Sequence, residues 1–276
     1  MARGTFVVAV SGGVDSVVLL DMLVKQGGHE LIVAHFDHGI RDDSADDAYF
    51  VGQLAEEYGL GFESCREELG KTASEELARE RRYAFLRQVA EKHKARIVTA
   101  HHMNDIAETI AINVSRGTGW RGVAVLASDI YRPLLSKTKE ELLAYAKEHK
   151  LTWHEDSTNA SDAYLRNRLR PKFTDKDVVL QLASLRARQV EVRDEITRAI
   201  ECMELVDPYP RHLFIMVNNS VGIELLRYVL DAKATRQQLA RALVAVATYR
   251  AGSTYQVGSG ISLHFTSRHF TVQMVK

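Results

Sequence analysis

Two cysteines in 276 residues, Cys65 and Cys202, exclude a disulfide framework, and the lack of any Cys-x-x-Cys pair argues against a zinc or iron–sulfur centre. No run of about eighteen apolar residues is present, so no membrane-spanning helix is expected. The opening MARGTFVVAV passes straight into a strand-like run rather than a signal peptide, and the expected compartment is the cytoplasm. Neither an internal repeat nor a low-complexity tract interrupts the chain. The most telling absence is local. No lysine lies between Gly4 and Lys25, so the Gly/Ser-rich stretch SGGVDS at residues 11 to 16 cannot be a Walker A loop, which needs Gly-x-x-x-x-Gly-Lys-Ser/Thr.

Apolar residues make up 46% and charged residues 26%, the composition of a soluble globular enzyme or binding protein. The length suits one large domain and a small appendage. Thirty-six basic residues balance 36 acidic ones, but unevenly along the chain. Residues 1–163 hold 19 basic and 26 acidic side chains, and residues 164–276 hold 17 and 10. The basic second part suits a polyanionic partner, or equally a solvated basic helix.

The hydrophobic pattern alternates between strand-like and helical. TFVVAV reads as a buried strand, VVLLDMLV as a helix, and HELIVAHFDHG as a second strand in which Ile32, Ala34 and Phe36 alternate. A helix is expected from about Asp46 to Tyr58, a short strand at GFESC, and a long helix over SEELARERRYAFLRQVAEKH. ARIVTAHH reads as another strand, followed by helices at NDIAETIAINVSRG and KTKEELLAYAKEHK, then a loop at LTWHEDSTN. This order predicts an α/β fold, a doubly wound and mainly parallel sheet. Its three legible strand ends, SGGVDS, HFDHGIR and AHHMND, should meet at the carboxyl edge, where such sheets bind ligands. A long helix from about Asp175 to Val206 reads as a linker, and RQQLARALVAVA with the Gly-spaced YQVGSGISLHFTSRHFTV reads as a small α+β C-terminal domain. The expected boundaries are 1–174, 175–206 and 207–276.

A strand, a tight turn and a helix start offer unpaired N–H groups and a positive dipole end, so phosphate is the natural guest of SGGVDS. The stretch resembles the pyrophosphatase loop of the N-type ATP-pyrophosphatase (PP-loop) superfamily, members of which cleave ATP between the α and β phosphates. Within that superfamily the resemblance narrows to the tRNA(Ile)-lysidine synthetase family. It is carried by AHFDHGIR, ELARERRYAFL, TAHHMNDIAETIAINVSRGTGWRG, RPLLSKTKEEL and WHEDSTNASDAYLRNRLR, in that order through the first 170 residues. The resemblance implies ATP, Mg²⁺, free lysine and an isoleucine tRNA with anticodon CAU as reactants and partners, with a homodimer as the assembly. Lysine would be joined to carbon 2 of the wobble cytidine through an adenylated intermediate.

The same resemblance distributes roles. Ser11, Gly12, Gly13, Val14, Asp15 and Ser16 match the phosphate loop, with Asp15 also a candidate for Mg²⁺. Asp37 matches the catalytic aspartate, a metal ligand or proton acceptor, and His38 and Arg41 accompany it. His101, His102, Asn104, Asp105 and Glu108 are expected around ATP and the base, although Asn104 and Asp105 also suit helix capping. Arg116 matches an arginine that offsets charge on the α-phosphate, and its place at a helix end suits the helix dipole as well. Glu140 and Glu141 fall where the lysine pocket is expected, or on an ordinary solvated helix face. Arg166, Asn167, Arg168 and Arg170 are implied as tRNA contacts. The lysine amine must lose a proton to react, and Asp37 or His101 are the candidate acceptors. The part after residue 206 is short beside the larger multidomain members, leaving room for one small module. Three alternatives stay open at this point: another PP-loop RNA modifier, an ammonia-fed amidating ligase, and a non-catalytic nucleotide- or RNA-binding module.

Overall fold

The computed structural model describes residues 4–39, 44–70, 73–154, 168–169, 171 and 173–274. Two compact units emerge: residues 1–116 with 123–187, and residues 117–122 with 188–276.

The first unit is built on four parallel strands: β1 (Thr5–Ala9), β2 (Glu30–Asp37), β3 (Gly61–Arg66) and β4 (Arg96–Val98), in spatial order β3-β2-β1-β4. Side chains alternate across the sheet, so Phe6, Val8, Leu31 and Val33 enter one core while Val7, Ile32 and Ala34 enter the other. The first face is covered by α1 (Val14–Gln26), α2 (Ser44–Glu57) and α5 (Lys139–Glu148), the second by α3 (Glu75–Lys92). Two covered faces explain why β2 is buried continuously from Leu31 to Asp37 instead of showing the expected alternation of burial. On α1, Val17, Val18, Leu19, Leu20 and Leu23 are at most 3% exposed, each contributing roughly 1.5–3 kcal/mol. The same helix buries Asp21, whose carboxylate accepts from Tyr58 Oη (2.9 Å) and Tyr145 Oη (2.7 Å) and pairs with Lys25 (2.9 Å). Burial opposes its charge, but those partners outweigh it and hold its pKa below the ordinary value.

The winding direction reverses at β1, because β2 and β3 lie on one side of it and β4 on the other. Ligands collect at such switch points. Beyond β4, Tyr131 pairs with it in parallel: Tyr131 N–H donates to Ile97 O (2.9 Å) and Thr99 N–H to Tyr131 O (3.1 Å). That bridge, not anticipated from the sequence, brings the start of α5 to the same sheet edge. Between them, α4 (Met103–Ser115) packs Met103 and Ala107 against Val179 near the start of α6 (Lys176–Glu201).

The second unit holds an antiparallel sheet of β5 (Tyr209–Pro210), β6 (Thr254–Gly258), β7 (Ile261–Phe265) and β8 (His269–Met274), in order β5-β8-β7-β6. Ser259 and Gly260, both at positive φ, close the β6–β7 hairpin as a two-residue turn requires. Three helices pack with it: α7 (Arg211–Ile215), α8 (Asn219–Val229) and α9 (Arg236–Thr248). Their core is Phe214, Leu225, Leu226, Leu239, Val246 and Phe270. Helix α8 was not named from the sequence, although Gly222, Leu225, Leu226 and Val229 share one face at helical spacing and Asn218 caps it. Among the described residues no helix is long and apolar enough to cross a membrane.

Candidate active site

The chain leaves β1 at Val10, whose N–H still donates to Ala34 O (3.0 Å) and whose carbonyl accepts from the buried His35 Nδ1 (2.9 Å). It then turns through Gly12 at φ +93°, a conformation that glycine alone adopts without strain. Gly13 is the N-cap of α1 and has no side chain with which to cap it, leaving the first-turn N–H groups directed outward. The two serines hold the loop closed. Ser16 Oγ donates to Gly13 O (2.8 Å), accepts from Ser11 N–H (3.2 Å), and lies 3.3 Å from Ser11 Oγ. On the other side His154 N–H donates to Gly12 O (3.0 Å), while its ring bonds Asp47 (2.8 Å) and stacks on Phe50 at 4.4 Å.

The missing lysine comes from elsewhere in the chain. Lys139 Nζ, in the first turn of α5, donates to both carboxylate oxygens of Asp15, at 2.7 and 2.9 Å. Helix α5 is started by a capping box in which Thr138 Oγ1 accepts from Glu141 N–H and Glu141 accepts from Thr138 N–H. Helix α4 starts beside it with a second capping box, between His102 and Asp105. Asn104 ties the two helices: its Oδ1 accepts from Lys139 N–H (3.0 Å) and its Nδ2 donates to Phe173 O (3.2 Å). Three helix N-termini, those of α1, α4 and α5, thus converge at the switch point, each carrying a partial positive charge.

His102 Nε2 lies 3.7 Å from Asp15 and 3.6 Å from Asp105. Burial disfavours its cation, but the two carboxylates outweigh burial and raise its pKa. Its Nδ1 accepts from Asn104 N–H (3.2 Å), so the proton of the neutral ring sits on Nε2, facing the carboxylates. Asp15 is likewise subject to burial that would raise its pKa; His102 and Lys139 overcome this and lower it. His101 is held differently. Burial, opposed by Asp105 and aided by Arg82, Arg132 and Arg79, pushes its pKa down to about 3, so the ring is neutral, with Nδ1 bonded to Thr99 Oγ1 (2.8 Å).

Asp37, buried at the end of β2, accepts from Gly39 N–H (2.8 Å) and pairs with Arg66 (3.2 Å). By strand spacing Asp37 and the chain leaving β4 lie about 10 Å apart across β1, on either side of the loop. His38 follows it, with its ring 5.2 Å from that of Phe36. Glu108 is buried in α4, and Glu140 is exposed in the first turn of α5. Arg116 is the exposed C-cap of α4, roughly 18 Å along the helix axis from Asn104. Arg168 is exposed; Arg41, Arg166, Asn167 and Arg170 lie outside the described residues. The structure therefore gathers Ser11 to Ser16, His101, Asn104 and Asp105 at one edge with Asp37 beside them, and leaves Arg116 at the far end of α4. Sequence reasoning missed Lys139, Arg66 and His154. The capping signal Thr-x-x-Glu at 138–141 was available, and it would have put Lys139 in a first helical turn.

A parallel sheet presenting a lysine-free Ser-Gly-Gly-Val-Asp-Ser loop at its switch point is the architecture of PP-loop proteins. A profile of the PP-loop domain matches residues 2–176, and the chain belongs to that family. Among curated proteins it is similar to a tRNA(Ile)-lysidine synthase of Thermus thermophilus, 40% identical over 220 residues that cover 75% of this chain and 43% of that one. One from Exiguobacterium sibiricum is 42% identical over 180 residues, covering 63% and 43%. The chain thus spans less than half the length of these relatives. Among solved structures, the U34-tRNA thiolase NcsA of Methanococcus maripaludis, determined with its 4Fe-4S cluster, aligns with TM-score 0.57 and 20% identity, covering 69% of this chain and 74% of that one. That likeness establishes the fold alone.

Proposed function

We propose that this chain joins free lysine to carbon 2 of the wobble cytidine in an isoleucine tRNA with anticodon CAU, consuming ATP and releasing AMP and pyrophosphate. One observation carries the reading: a pyrophosphatase-type loop with a borrowed lysine sits in a chain 40% identical over 220 residues to a tRNA(Ile)-lysidine synthase.

In the first step oxygen 2 of the cytosine attacks the α-phosphorus of ATP, the bond to the β-phosphate oxygen breaks, and pyrophosphate leaves. The α1 N-terminus, Ser11, Ser16 and Lys139 receive its charge, as fixed donors do where negative charge develops. In the second step the lysine amine attacks carbon 2, the carbon–oxygen bond breaks, and AMP leaves with that oxygen. The amine's pKa in water is ~10.4, so a base must take its proton. The resemblance offers Asp37 and His101 as acceptors, and we assign the proton to Asp37, the carboxylate at the same sheet edge, because burial holds the neutral His101 ring against taking a charge. Glu140 and Glu141 are the proposed partners of the lysine substrate, with Glu141 also committed to the α5 capping box. Glu108, His38, Arg41, Arg166, Asn167, Arg168 and Arg170 are the proposed contacts to base and tRNA, whereas Arg116, at the opposite end of α4 from Asn104, is left without the α-phosphate role that the resemblance implied.

Asp15 and Asp37 are the carboxylates that would hold Mg²⁺ together with the nucleotide's own phosphates; each is paired with a protein cation, Lys139 and Arg66 respectively, that the ion would displace. When bound it would offset phosphate charge. The reading assigns catalysis to residues 1–174, a basic linker to 175–206 and tRNA binding to 207–276, in a cytoplasmic homodimer.

The test is incorporation of labelled lysine into a transcribed isoleucine tRNA bearing CAU, with ATP and Mg²⁺, for wild type and Asp37→Asn. Label in the wild type and its loss by at least a hundredfold in the variant are expected. Pyrophosphate release without lysine incorporation would redirect the reading to another PP-loop RNA modifier.

A further inference from the structure

The second unit carries a concentration of arginine that the reaction does not use. Residues 211–276 contain eight arginines and lysines against two carboxylates, Glu224 and Asp231. Glu224, 12% exposed on α8, is surrounded. Arg121 Nε donates to its Oε2 at 2.6 Å, and Arg227 Nε lies 3.6 Å from the same oxygen, beyond hydrogen-bond reach. Arg227 Nε is buried and has no hydrogen-bond partner among the described residues. Arg236, exposed at the start of α9, lies along Gly119, whose positive φ and missing side chain make room for the guanidinium: a Cβ there would stand 2.9 Å from Arg236 Nη1. Beside them Arg121 Cζ sits 4.9 Å from the centre of the Trp120 ring.

Two guanidiniums share the Glu224 carboxylate and Arg236 acts on Arg227 as a third positive charge, so the group carries more positive than negative charge. Burial and the neighbouring Arg121 and Arg236, against the pull of Glu224, lower the Arg227 pKa, although a guanidinium stays charged at any physiological pH. A group held at that electrostatic disadvantage calls for a second anion. Arginine forks match phosphate oxygens in pairs, and an aromatic face next to them suits an unstacked base.

We propose that Arg227 and Arg236 form a seat for an RNA backbone phosphate, with Glu224 holding Arg121 in place and Trp120 offering a face to an adjacent base. The seat lies within the second unit and rests on the tRNA-modifying reading given above. Glu224 keeps the cluster assembled before RNA arrives, and the part of the Arg227 side chain that stays exposed, 19%, faces the phosphate with Arg236.

Equilibrium binding of transcribed isoleucine tRNA across a salt series, using the full chain, tests this. Each phosphate contact contributes about 0.7–0.9 to the slope of log affinity against log salt. Arg236→Ala is expected to lower the slope by about that amount and to weaken binding about five- to eightfold at 0.1 M salt, one decade below 1 M. Arg250→Ala, which removes an exposed charge beyond the other end of α9, should give less than half that loss. Arg227→Gln should act like Arg236→Ala; if its thermal melt shows misfolding, the exposed Arg236 carries the test alone. An unchanged slope in Arg236→Ala, an equal loss in Arg250→Ala, or no tRNA binding by the wild type overturns the seat. Lysine incorporation separates this from the parent reading. A wild type that binds tRNA with the expected slope effects but incorporates no lysine keeps the seat and rejects the lysidine reaction. A wild type that incorporates lysine while Arg236→Ala binds unchanged does the reverse.

Discussion

Removing the Lys139 ammonium separates a structural strut from a phosphate ligand. Its two bonds to Asp15, at 2.7 and 2.9 Å, correspond to ~6 kcal/mol of Coulomb attraction at an effective dielectric constant of about 20. Both side chains are partly in water, 37% and 31% exposed, so screening and lost hydration reduce the net contribution to about 1 kcal/mol. Lys139→Met keeps the stem of the side chain and should lower the melting temperature by only a few degrees. A charge-assisted bond to a phosphate oxygen contributes more, ~1.5–3 kcal/mol, or roughly 10- to 150-fold in affinity. The assay is calorimetric titration with inorganic pyrophosphate, paired with a circular-dichroism melt of the same sample. Loss of pyrophosphate affinity with a nearly unchanged melt is expected. A melt lowered by ten degrees or more with pyrophosphate binding intact would refute the reasoning and reduce Lys139 to a tether between α5 and α1.

Gly12→Ala should destabilise the protein by about 1–2 kcal/mol in urea unfolding, because φ is +93° there. The nearest atoms to a new Cβ, Phe50 Cδ1 and Val51 Cγ2, stand at 3.6 Å and do not clash, so a loss above about 4 kcal/mol would mean the turn is held by more than backbone preference. His102→Asn should flatten the alkaline side of the stability profile. The raised folded pKa of His102 means its contribution is complete below the ordinary imidazole value of 6.5 and fades as pH rises through the folded value. Asp15 has the opposite sign: its lowered pKa gives a contribution present above 3.8 that fades as pH falls through the folded value. Melting temperature against pH for wild type and variant checks both limbs, and identical alkaline slopes would remove His102 from the account.

How much of this was legible in the sequence depended on the range of the interaction. The strand-to-helix change at Val10 to Val14 and the polar strand ends at Asp37 and His101 are local signals, and they located the switch-point edge from periodicity alone. The burial pattern of β2 was misread because alternation assumes one wet face, and here α3 covers the second. Helix α8 was overlooked although its signal is local, an Asn218 cap followed by Gly222, Leu225, Leu226 and Val229 at helical spacing. The pairing of Lys139 with Asp15 was not legible because 124 residues separate them, and it takes the Tyr131 bridge, the Asn104 tie and the packing of α5 on α1 to bring them together.

That long-range supply of charge has a consequence for how the site works. A Walker lysine is part of its own loop and arrives with it, whereas Lys139 depends on α5 being started correctly by Thr138 and on Asn104 holding its backbone N–H. The loop, α4 and α5 are therefore one electrostatic unit assembled from three segments. Asp15 keeps that unit neutral enough to fold, because three helix N-termini, the Lys139 ammonium and a His102 of raised pKa would otherwise face one another. The neutrality of His101 belongs to the same arrangement: with Arg79, Arg82 and Arg132 acting on it, a second charged imidazole at this edge would add repulsion, and burial keeps it uncharged.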